Sequence, residues 1–428
     1  MNHGDGKAAA AGPRAFTREE IYAATRRPVS LAATLVPDAY TSEEFFALER
    51  ERVFASSWVA VGCSAQLREP GDVLVTEVAG RSIFVVRKQD GALRAFYNVC
   101  RHRGTRLLAS GECRVNRFIR CPYHSWAYDH DGHCVGTPLF TPDSEVPEDQ
   151  RGIFDMSDVK AFDKADYGLH RVRCEGWGCL VFVCLDAAAP PLRDELGDLS
   201  ERLAGYRMDE WTLARRAEYE IHANWKLIAE NFMEYYHLPW VHPSLVKVSP
   251  MDAHHRWQGT GKYVGVCTTP IAADTEDGGW LGLPAIAGLS DEDAVSARFV
   301  WLYPSIALNV MPNHVFLLLV RPAAAGLTLE TAYLLTHPAS RALAQASDVD
   351  DLMRFWDSVN REDIAIVERV QDGLANPVYE GGRMCYRFEE SVHRFQNMEI
   401  DRILGLWRVP EGDRVEGEPM FARAELQT

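Results

Sequence analysis

The chain has 428 residues, of which 47% are hydrophobic and 10% aromatic, and its 61 acidic against 45 basic side chains give a formal net charge of -16. This length is sufficient for two folded domains. The acidic excess argues against a nucleic-acid surface and against attraction to anionic membranes. The sequence contains no run of about 20 apolar residues that could cross a bilayer and no signal peptide at its start, so we expect a cytoplasmic enzyme.

The predicted elements divide the chain into three parts. Residues 1–45 begin with an Ala- and Gly-rich tail and continue into short helical patterns. Short β-rich segments separated by Gly, Asp-Gly and Pro predict an antiparallel β domain over residues 46–187. Residues 188–428 mix strands with helices, including a long amphipathic helix over about residues 347–373. The fold class is therefore predicted to be α+β.

Two short segments of the predicted β domain each combine a cysteine with a histidine. Cys100 precedes His102 by two positions, and Cys121 precedes His124 by three. Loops of this kind can bring two thiolates and two imidazoles together. Structural zinc uses the same ligands, although zinc fingers usually group cysteine with cysteine and histidine with histidine. The mixed pairing favours a two-iron cluster with two thiolates on one iron and two imidazoles on the other.

A second group of polar residues lies in the otherwise apolar and aromatic segment 230–243, ENFMEYYHLPWVHP. In a helix, Glu234 and His237 would share one face, and His242, beyond Pro239, could turn back toward the same point. Two histidines and one carboxylate form the ligand set of mononuclear non-haem Fe(II), which leaves positions open for dioxygen. Taken alone, the two histidines could also be hydrogen-bonded core residues. The third ligand must come from elsewhere in the chain.

Together these motifs resemble a known family. The runs C-x-H-R-G at 100–104 and C-P-Y-H-x-W at 121–126, followed by NWKLIAENFMEYYHLPWVHP, resemble the terminal oxygenase α subunits of Rieske non-haem iron oxygenases over about residues 41–404. The resemblance implies a Rieske β domain before a helix-grip (START-like) catalytic domain with a curved antiparallel sheet. It implies two cofactors, a [2Fe-2S] Rieske cluster and a mononuclear Fe(II). The implied cluster ligands are Cys100, His102, Cys121 and His124.

The resemblance also implies the third iron ligand. In the family, the ligand aspartate on a late helix stands five residues before a glutamate, and Asp363 with Glu368 fits this pattern in VNREDIAIVERVQDG. Glu362 is the second choice. His237, His242 and Asp363 are thus the implied Fe²⁺ ligands.

An acid three residues before the first iron histidine has its own role in the family. It hydrogen-bonds that histidine and reaches a Rieske histidine of the neighbouring subunit, so it carries the electron between subunits. Glu234 holds this position, with His124 of an adjacent chain as its implied partner. A head-to-tail ring, usually a trimer, is therefore implied. Most of the family has aspartate here; glutamate, like the run GGRMCYRFEESVHRFQNM, resembles the oxygenases of carnitine, choline, glycine betaine and proline betaine.

The implied function is that of a terminal oxygenase. It would use O2 and electrons from a separate NAD(P)H-dependent reductase, directly or through a ferredoxin, to hydroxylate a small substrate. The favoured substrate is an N-methyl or quaternary ammonium compound, which monooxygenation would convert by N-demethylation or by C–N cleavage. The separate reductase follows because the sequence has no G-x-G-x-x-G nucleotide fingerprint that opens a helix after a strand. One alternative is an aromatic-ring hydroxylating mono- or dioxygenase with the same metal centres. Another is an electron-transfer protein with a degenerate second domain.

A quaternary ammonium substrate calls for aromatic side chains, because ring faces attract a methylated cation. Any of these side chains could instead be core residues, and an aromatic substrate would suit the same surroundings. The candidates are Tyr235, Trp240, Trp257, Tyr263, Trp301, Tyr303, Phe316, Tyr386 and Phe388.

Overall fold

The computed structural model of the chain describes residues 15–140, 161–269, 271 and 283–406. The chain folds into two compact units, one over Ala55–Ala189 and the other over Met1–Phe54 together with Pro190–Thr428. We call them the β unit and the helix–sheet unit. The predicted boundaries at residues 46 and 188 stay predictions. Among the described helices, none is both long and apolar enough to span a membrane.

The β unit consists of two antiparallel sheets. The larger has seven strands in the order β1-β10-β9-β4-β3-β2-β5, and the smaller has the order β6-β7-β8. Alternate side chains of the larger sheet, such as Val75 opposite Phe84, point into a buried core that also contains Cys100 and Cys121. The strands are β1 (Val59–Cys63), β2 (Asp72–Val78), β3 (Arg81–Arg87), β4 (Leu93–Tyr97), β5 (Gly111–Arg114), β6 (Ile119–Arg120), β7 (Ala127–Tyr128), β8 (Cys134–Gly136), β9 (Arg171–Trp177) and β10 (Leu180–Cys184).

The helix–sheet unit is built on a seven-stranded antiparallel sheet in the order β11-β17-β16-β15-β14-β13-β12. Its strands are β11 (Thr212–Ile221), β12 (His254–Arg256), β13 (Tyr263–Thr268), β14 (Ala297–Leu302), β15 (Ile306–Val310), β16 (His314–Ala324) and β17 (Leu327–Thr336). The described α-helices are α1 (Asp38–Thr41), α2 (Glu43–Glu49), α3 (Leu192–Leu196), α4 (Leu199–Arg202), α5 (Trp225–Met233), α6 (Leu238–Val241), α7 (Leu245–Val248), α8 (Pro338–Leu343), α9 (Ala346–Leu374) and α10 (Glu390–Ile403). The predicted α+β class with its antiparallel catalytic sheet is confirmed.

Helix α9 covers part of this sheet. Its buried residues, among them Leu352, Trp356 and Val359, recur every three or four positions and form one apolar stripe. The Trp356 ring stacks on the Phe316 ring of β16, with 5.3 Å between centroids and 10° between planes. This packing fixes the helix that carries Asp363 over the sheet.

Candidate functional site

The segment that carries Glu234 and His237 is not one continuous helix. Helix α5 ends at Met233, Glu234 has extended backbone angles (φ -113°, ψ 163°), and His237 is the N-cap of the short helix α6. The expectation that Glu234 and His237 share a helical face is therefore wrong. Pro239 explains the break, because its missing N–H and its ring disfavour an unbroken helix through residue 235. In α6 it lies in the first turn, where no N–H is needed.

The Glu234 carboxylate organises the turn that follows. Its Oε2 accepts hydrogen bonds from the backbone N–H groups of Tyr236 and His237, the latter at 3.3 Å, and its Oε1 lies 2.5 Å from His237 Nδ1. A carboxylate oxygen at this distance places the imidazole proton on Nδ1 and leaves Nε2 with a free lone pair. Glu234 thus orients His237 for a ligand at Nε2.

His237, His242 and Asp363 meet at one point of the helix–sheet unit. A ring nitrogen from each histidine and a carboxylate oxygen from Asp363 all lie within 4.8 Å of one another, which is close enough to hold a metal ion. Asp363 Oδ1 is 2.7 Å from His242 Nε2 and 3.5 Å from His237 Nε2. His242 is buried, whereas His237 and Asp363 are partly exposed. This donor set is the one that non-haem iron takes, with one face left open.

Glu362, the second choice for the third ligand, lies on the other side of the His242 ring. Its Oε2 is 2.6 Å from His242 Nδ1. Burial disfavours the charged form of His242, but the carboxylates of Asp363 and Glu362 outweigh it and raise the pKa of this imidazole. The surroundings therefore favour positive charge, as a divalent cation requires. Glu368 lies elsewhere, where its Oε1 accepts the backbone N–H of His222 at 2.9 Å.

In the β unit, Cys100 and Cys121 lie on two similar loops. The N–H of Cys100 donates to the carbonyl of Thr105 at 2.8 Å, and the N–H of Cys121 donates to the carbonyl of Trp126, also at 2.8 Å. The first loop turns through Gly104, whose φ of +72° suits glycine, and the second through Ser125, at +57°. The two thiols are buried at the ends of these loops and lie close enough to be hydrogen-bonded to each other.

The two histidines of these loops also converge. The rings of His102 and His124 are 4.7 Å apart between centroids, and the His102 ring stacks on Trp126. The Nδ1 atom of His102 is buried with no hydrogen-bond partner among the described residues. Backbone N–H groups of His124 and Tyr123 outweigh burial and lower the pKa of Cys121, which favours its thiolate. Two thiols and two imidazoles, one with an unpartnered nitrogen, fit a cluster with mixed ligands.

A cavity in the helix–sheet unit adjoins the His237, His242 and Asp363 group. Of the nine aromatic candidates from the sequence, Tyr235 and Phe316 line it. Trp240 is instead 78% exposed. Three further aromatic side chains, missed from the sequence, line the cavity: Phe232, Phe299 and Trp356. Trp356 could have been found, because it lies seven residues, about two turns, before Asp363 on the same helix.

Comparison with known proteins agrees with both centres. Residues 57–160 match the family described as the Rieske [2Fe-2S] domain, and residues 208–405 match the family described as the ring hydroxylating alpha subunit (catalytic domain). The carnitine monooxygenase oxygenase subunit of Acinetobacter baumannii is 31% identical over 345 residues, which cover 78% of this chain and 83% of that protein. The glycine betaine monooxygenase oxygenase subunit of Chromohalobacter salexigens is 28% identical over 390 residues, 83% of each chain.

Solved structures show the same fold. A crystal structure of a quaternary ammonium Rieske monooxygenase with a bound inhibitor superimposes with a TM-score of 0.72 at 28% identity, over 90% of this chain and 98% of the other. A naphthalene 1,2-dioxygenase with bound indole has a TM-score of 0.71 at 19% identity, over 92% and 96% of the two chains, and shares the fold alone. Because the similarity to oxygenase subunits extends through both units, the chain belongs to the alpha subunits of the Rieske oxygenases, which combine a [2Fe-2S] cluster with a mononuclear iron.

Proposed function

We propose that this oxygenase hydroxylates an N-methyl group of a small quaternary ammonium compound. The aromatic cavity beside the His237, His242 and Asp363 group would suit an aromatic substrate as well, so the observation that carries the proposal is the similarity to oxygenase subunits of quaternary ammonium compounds. A fully methylated ammonium donates no N–H hydrogen bond but is attracted to ring faces, and Phe299 and Phe316 supply two of them. The relatives that act on carnitine and glycine betaine support this substrate class.

We assign the cofactor ligands as follows. His237, His242 and Asp363 hold the mononuclear iron, and the four residues of the β-unit loops hold the [2Fe-2S] cluster: Cys100, His102, Cys121 and His124. When bound, the cluster supplies single electrons and the iron activates dioxygen. The donor atoms described above fit both groups in kind and number.

The remaining polar residues of the site position the ligands. Glu234 holds the Nδ1 proton of His237, and Glu362 does the same for His242. Such outer carboxylates fix the tautomer and raise the basicity of the ligating nitrogen. The apolar walls, among them Leu238, Val266 and Leu318, keep bulk water from the reacting methyl group.

The expected reaction releases formaldehyde. Insertion of one oxygen atom of O2 into an N-methyl C–H bond, with two electrons and two protons that reduce the second atom to water, gives a hydroxymethyl ammonium. This product loses formaldehyde and a proton and leaves a tertiary amine. The electrons come from a partner reductase; its dependence on NAD(P)H and a route through a ferredoxin stay predictions.

We further propose that the electron passes from His124 of one subunit to Glu234 of the next in a head-to-tail ring, usually a trimer. Large apolar side chains near both metal centres support an interface. Tyr123, beside His124, is 58% exposed, and Trp240, three residues after His237, is 78% exposed. Exposed aromatic residues of this kind commonly mark contact surfaces between proteins. One solved relative is described in terms of inter-subunit electron transfer.

The experiment supplies the protein with a surrogate reductase, NADH and one of three compounds: carnitine, glycine betaine or choline. We expect coupled oxygen uptake and formaldehyde release with at least one of them. Metal analysis should find about three irons per chain, two in the cluster and one at the mononuclear site. The matched control is His237→Ala, which should retain the cluster absorbance, lose one iron and release no formaldehyde.

Two results would contradict the proposal. Hydroxylation of an aromatic ring, without formaldehyde from any methylammonium compound, would favour the aromatic alternative. About two irons per chain, unchanged in His237→Ala, would favour an electron-transfer protein.

A further inference from the structure

Asn309 is a polar residue in an otherwise apolar row of the cavity wall. Across the sheet, Val266 is opposite Phe299, Phe299 is opposite Asn309, and Asn309 is opposite Phe316. All four residues line the cavity. Because directly opposite side chains in an antiparallel sheet lie about 5 Å apart, the carboxamide of Asn309 lies between two aromatic rings.

This carboxamide has an unused hydrogen-bond acceptor. Asn309 is 5% exposed, and its Oδ1 is buried with no hydrogen-bond partner among the described residues. Asn360, a second asparagine of the cavity, differs, because its Nδ2 donates to Glu330 Oε1 at 2.7 Å. Buried polar atoms in folded proteins nearly always have partners, and each exception requires an explanation. In a substrate cavity, the explanation that fits is a partner on the substrate.

The wall offers a substrate carboxylate no lysine or arginine as a partner among its described lining residues. Glu234 adds a negative charge to the wall, whereas the charge of Asp363 would be offset by the iron that it is proposed to hold. His254 adds no charge at pH 7, because burial lowers its pKa to about 4. A substrate carboxylate that enters the cavity would therefore lose its hydration and find no cationic side chain of this wall as a partner. The free energy of this desolvation disfavours its binding.

We propose that Asn309 determines substrate specificity by accepting a hydrogen bond from a neutral donor, a hydroxyl or amide N–H, at the end of the substrate remote from the reacting methyl. The inference rests on the proposed function and narrows it. Among the methylated ammonium compounds, a hydrogen bond to Asn309 would favour an amino alcohol of the choline type over a betaine that carries a carboxylate. In such a substrate, the ammonium end would contact the aromatic rings, and the hydroxyl would donate a hydrogen bond to Asn309 Oδ1.

The test compares three probes of similar size on the wild type and on Asn309→Leu, which has nearly the same shape. Choline carries the donor hydroxyl, its O-methyl ether keeps the oxygen but lacks the proton, and glycine betaine has a carboxylate. Formaldehyde release gives kcat and KM, and calorimetry gives the binding constant. For the wild type we expect kcat/KM for choline to exceed that for each other probe about tenfold or more.

In Asn309→Leu, the binding constant and kcat/KM for choline should fall about tenfold to the level of the ether, mainly through KM. The ether itself should change little. A misfolded variant would instead weaken all probes together and lose iron, so iron content and circular dichroism are measured on both proteins.

Other outcomes separate the two proposals. If glycine betaine is oxidised better than choline, or if choline and its ether decline equally in Asn309→Leu, the role of Asn309 is wrong while the proposed function stands. If none of the probes, and no other methylammonium compound, releases formaldehyde, the proposed function fails and this inference fails with it.

Discussion

At the scale of single residues, the adjacent acids Glu362 and Asp363 have different tasks. They are one position apart in α9 and therefore point about 100° apart around the helix. Asp363 faces the Nε2 atoms of both histidines, whereas Glu362 reaches only Nδ1 of His242. These contacts support the proposal that Asp363 is the ligand and that Glu362 orients His242.

We predict that Asp363→Ala and Glu362→Gln differ in iron binding. Asp363→Ala removes a ligand, so iron should fall from about three to about two per chain, with the cluster absorbance retained. Glu362→Gln keeps all three ligands and loses only the charge behind His242, so the mononuclear iron should bind about 10- to 100-fold more weakly but remain measurable. Metal analysis during titration with a chelator distinguishes them. The reverse order would identify Glu362 as the ligand.

The parts of the site that the sequence predicted are those in which function is encoded locally. Cys100 with His102, and Cys121 with His124, lie on two short loops, so spacing indicates a pair of possible ligands on each loop, and the family resemblance implies that the two pairs converge. Asn309 and Phe299 could not be predicted in the same way, because they join the cavity through strand register. Nearly every residue of β14 and β15 is buried, so their sequences show no alternation that tells which face of the sheet a side chain occupies.

At the scale of elements, α5 makes polar contacts with neighbouring helices. Glu230, the first residue of the segment 230–243, accepts hydrogen bonds from the Tyr40 hydroxyl at 2.7 Å and from Gln396 Nε2 at 2.9 Å. These contacts tie α5 to α1 and α10. Burial raises the pKa of Glu230 to about 7, although both hydrogen bonds favour its charged form. Its role is therefore structural.

This shift predicts a pH-dependent stability. The folded protein binds the Glu230 proton more tightly than the unfolded chain, so the stability it contributes is present at low pH and is lost as pH rises from about 4.5 to about 7. In Glu230→Gln, a neutral amide oxygen can still accept both hydrogen bonds. The variant should resemble the wild type at pH 5 and be about 2 kcal/mol more stable at pH 7.5. Urea unfolding at both pH values measures this; an equal difference at the two values would contradict it.

Helices were predicted well where the pattern was long and uninterrupted. The long helix predicted over residues 347–373 is α9, Ala346–Leu374, because its apolar stripe repeats over many turns. The pattern around Glu234 failed because apolar residues continued through a segment whose backbone is broken by Pro239. Hydrophobic periodicity indicates which side chains are buried. A break in the helix that leaves the same side chains buried does not change this periodicity, so the sequence pattern does not reveal it.

At the scale of the whole molecule, the proposed electron route requires two subunits, because the donor histidine and the acceptor acid belong to different chains. Two inactive variants should therefore complement each other. Cys100→Ser removes the cluster and leaves the ligands of the mononuclear iron. Asp363→Ala removes a ligand of the mononuclear iron and leaves the cluster. In a head-to-tail ring, a chain with an intact cluster can serve the intact iron site of its neighbour.

We predict that the two variants, co-expressed with different tags and purified through both, form mixed rings with activity. A mixed trimer of either composition has one productive junction of three, so formaldehyde release should reach about one third of the wild-type rate per ring. Oligomers of either variant alone are the controls and should be inactive. Visible absorbance of the cluster reports the composition of the mixed ring. Mixed rings of verified composition without activity would mean that the electron stays within one chain, and the role proposed for Glu234 between subunits would be wrong.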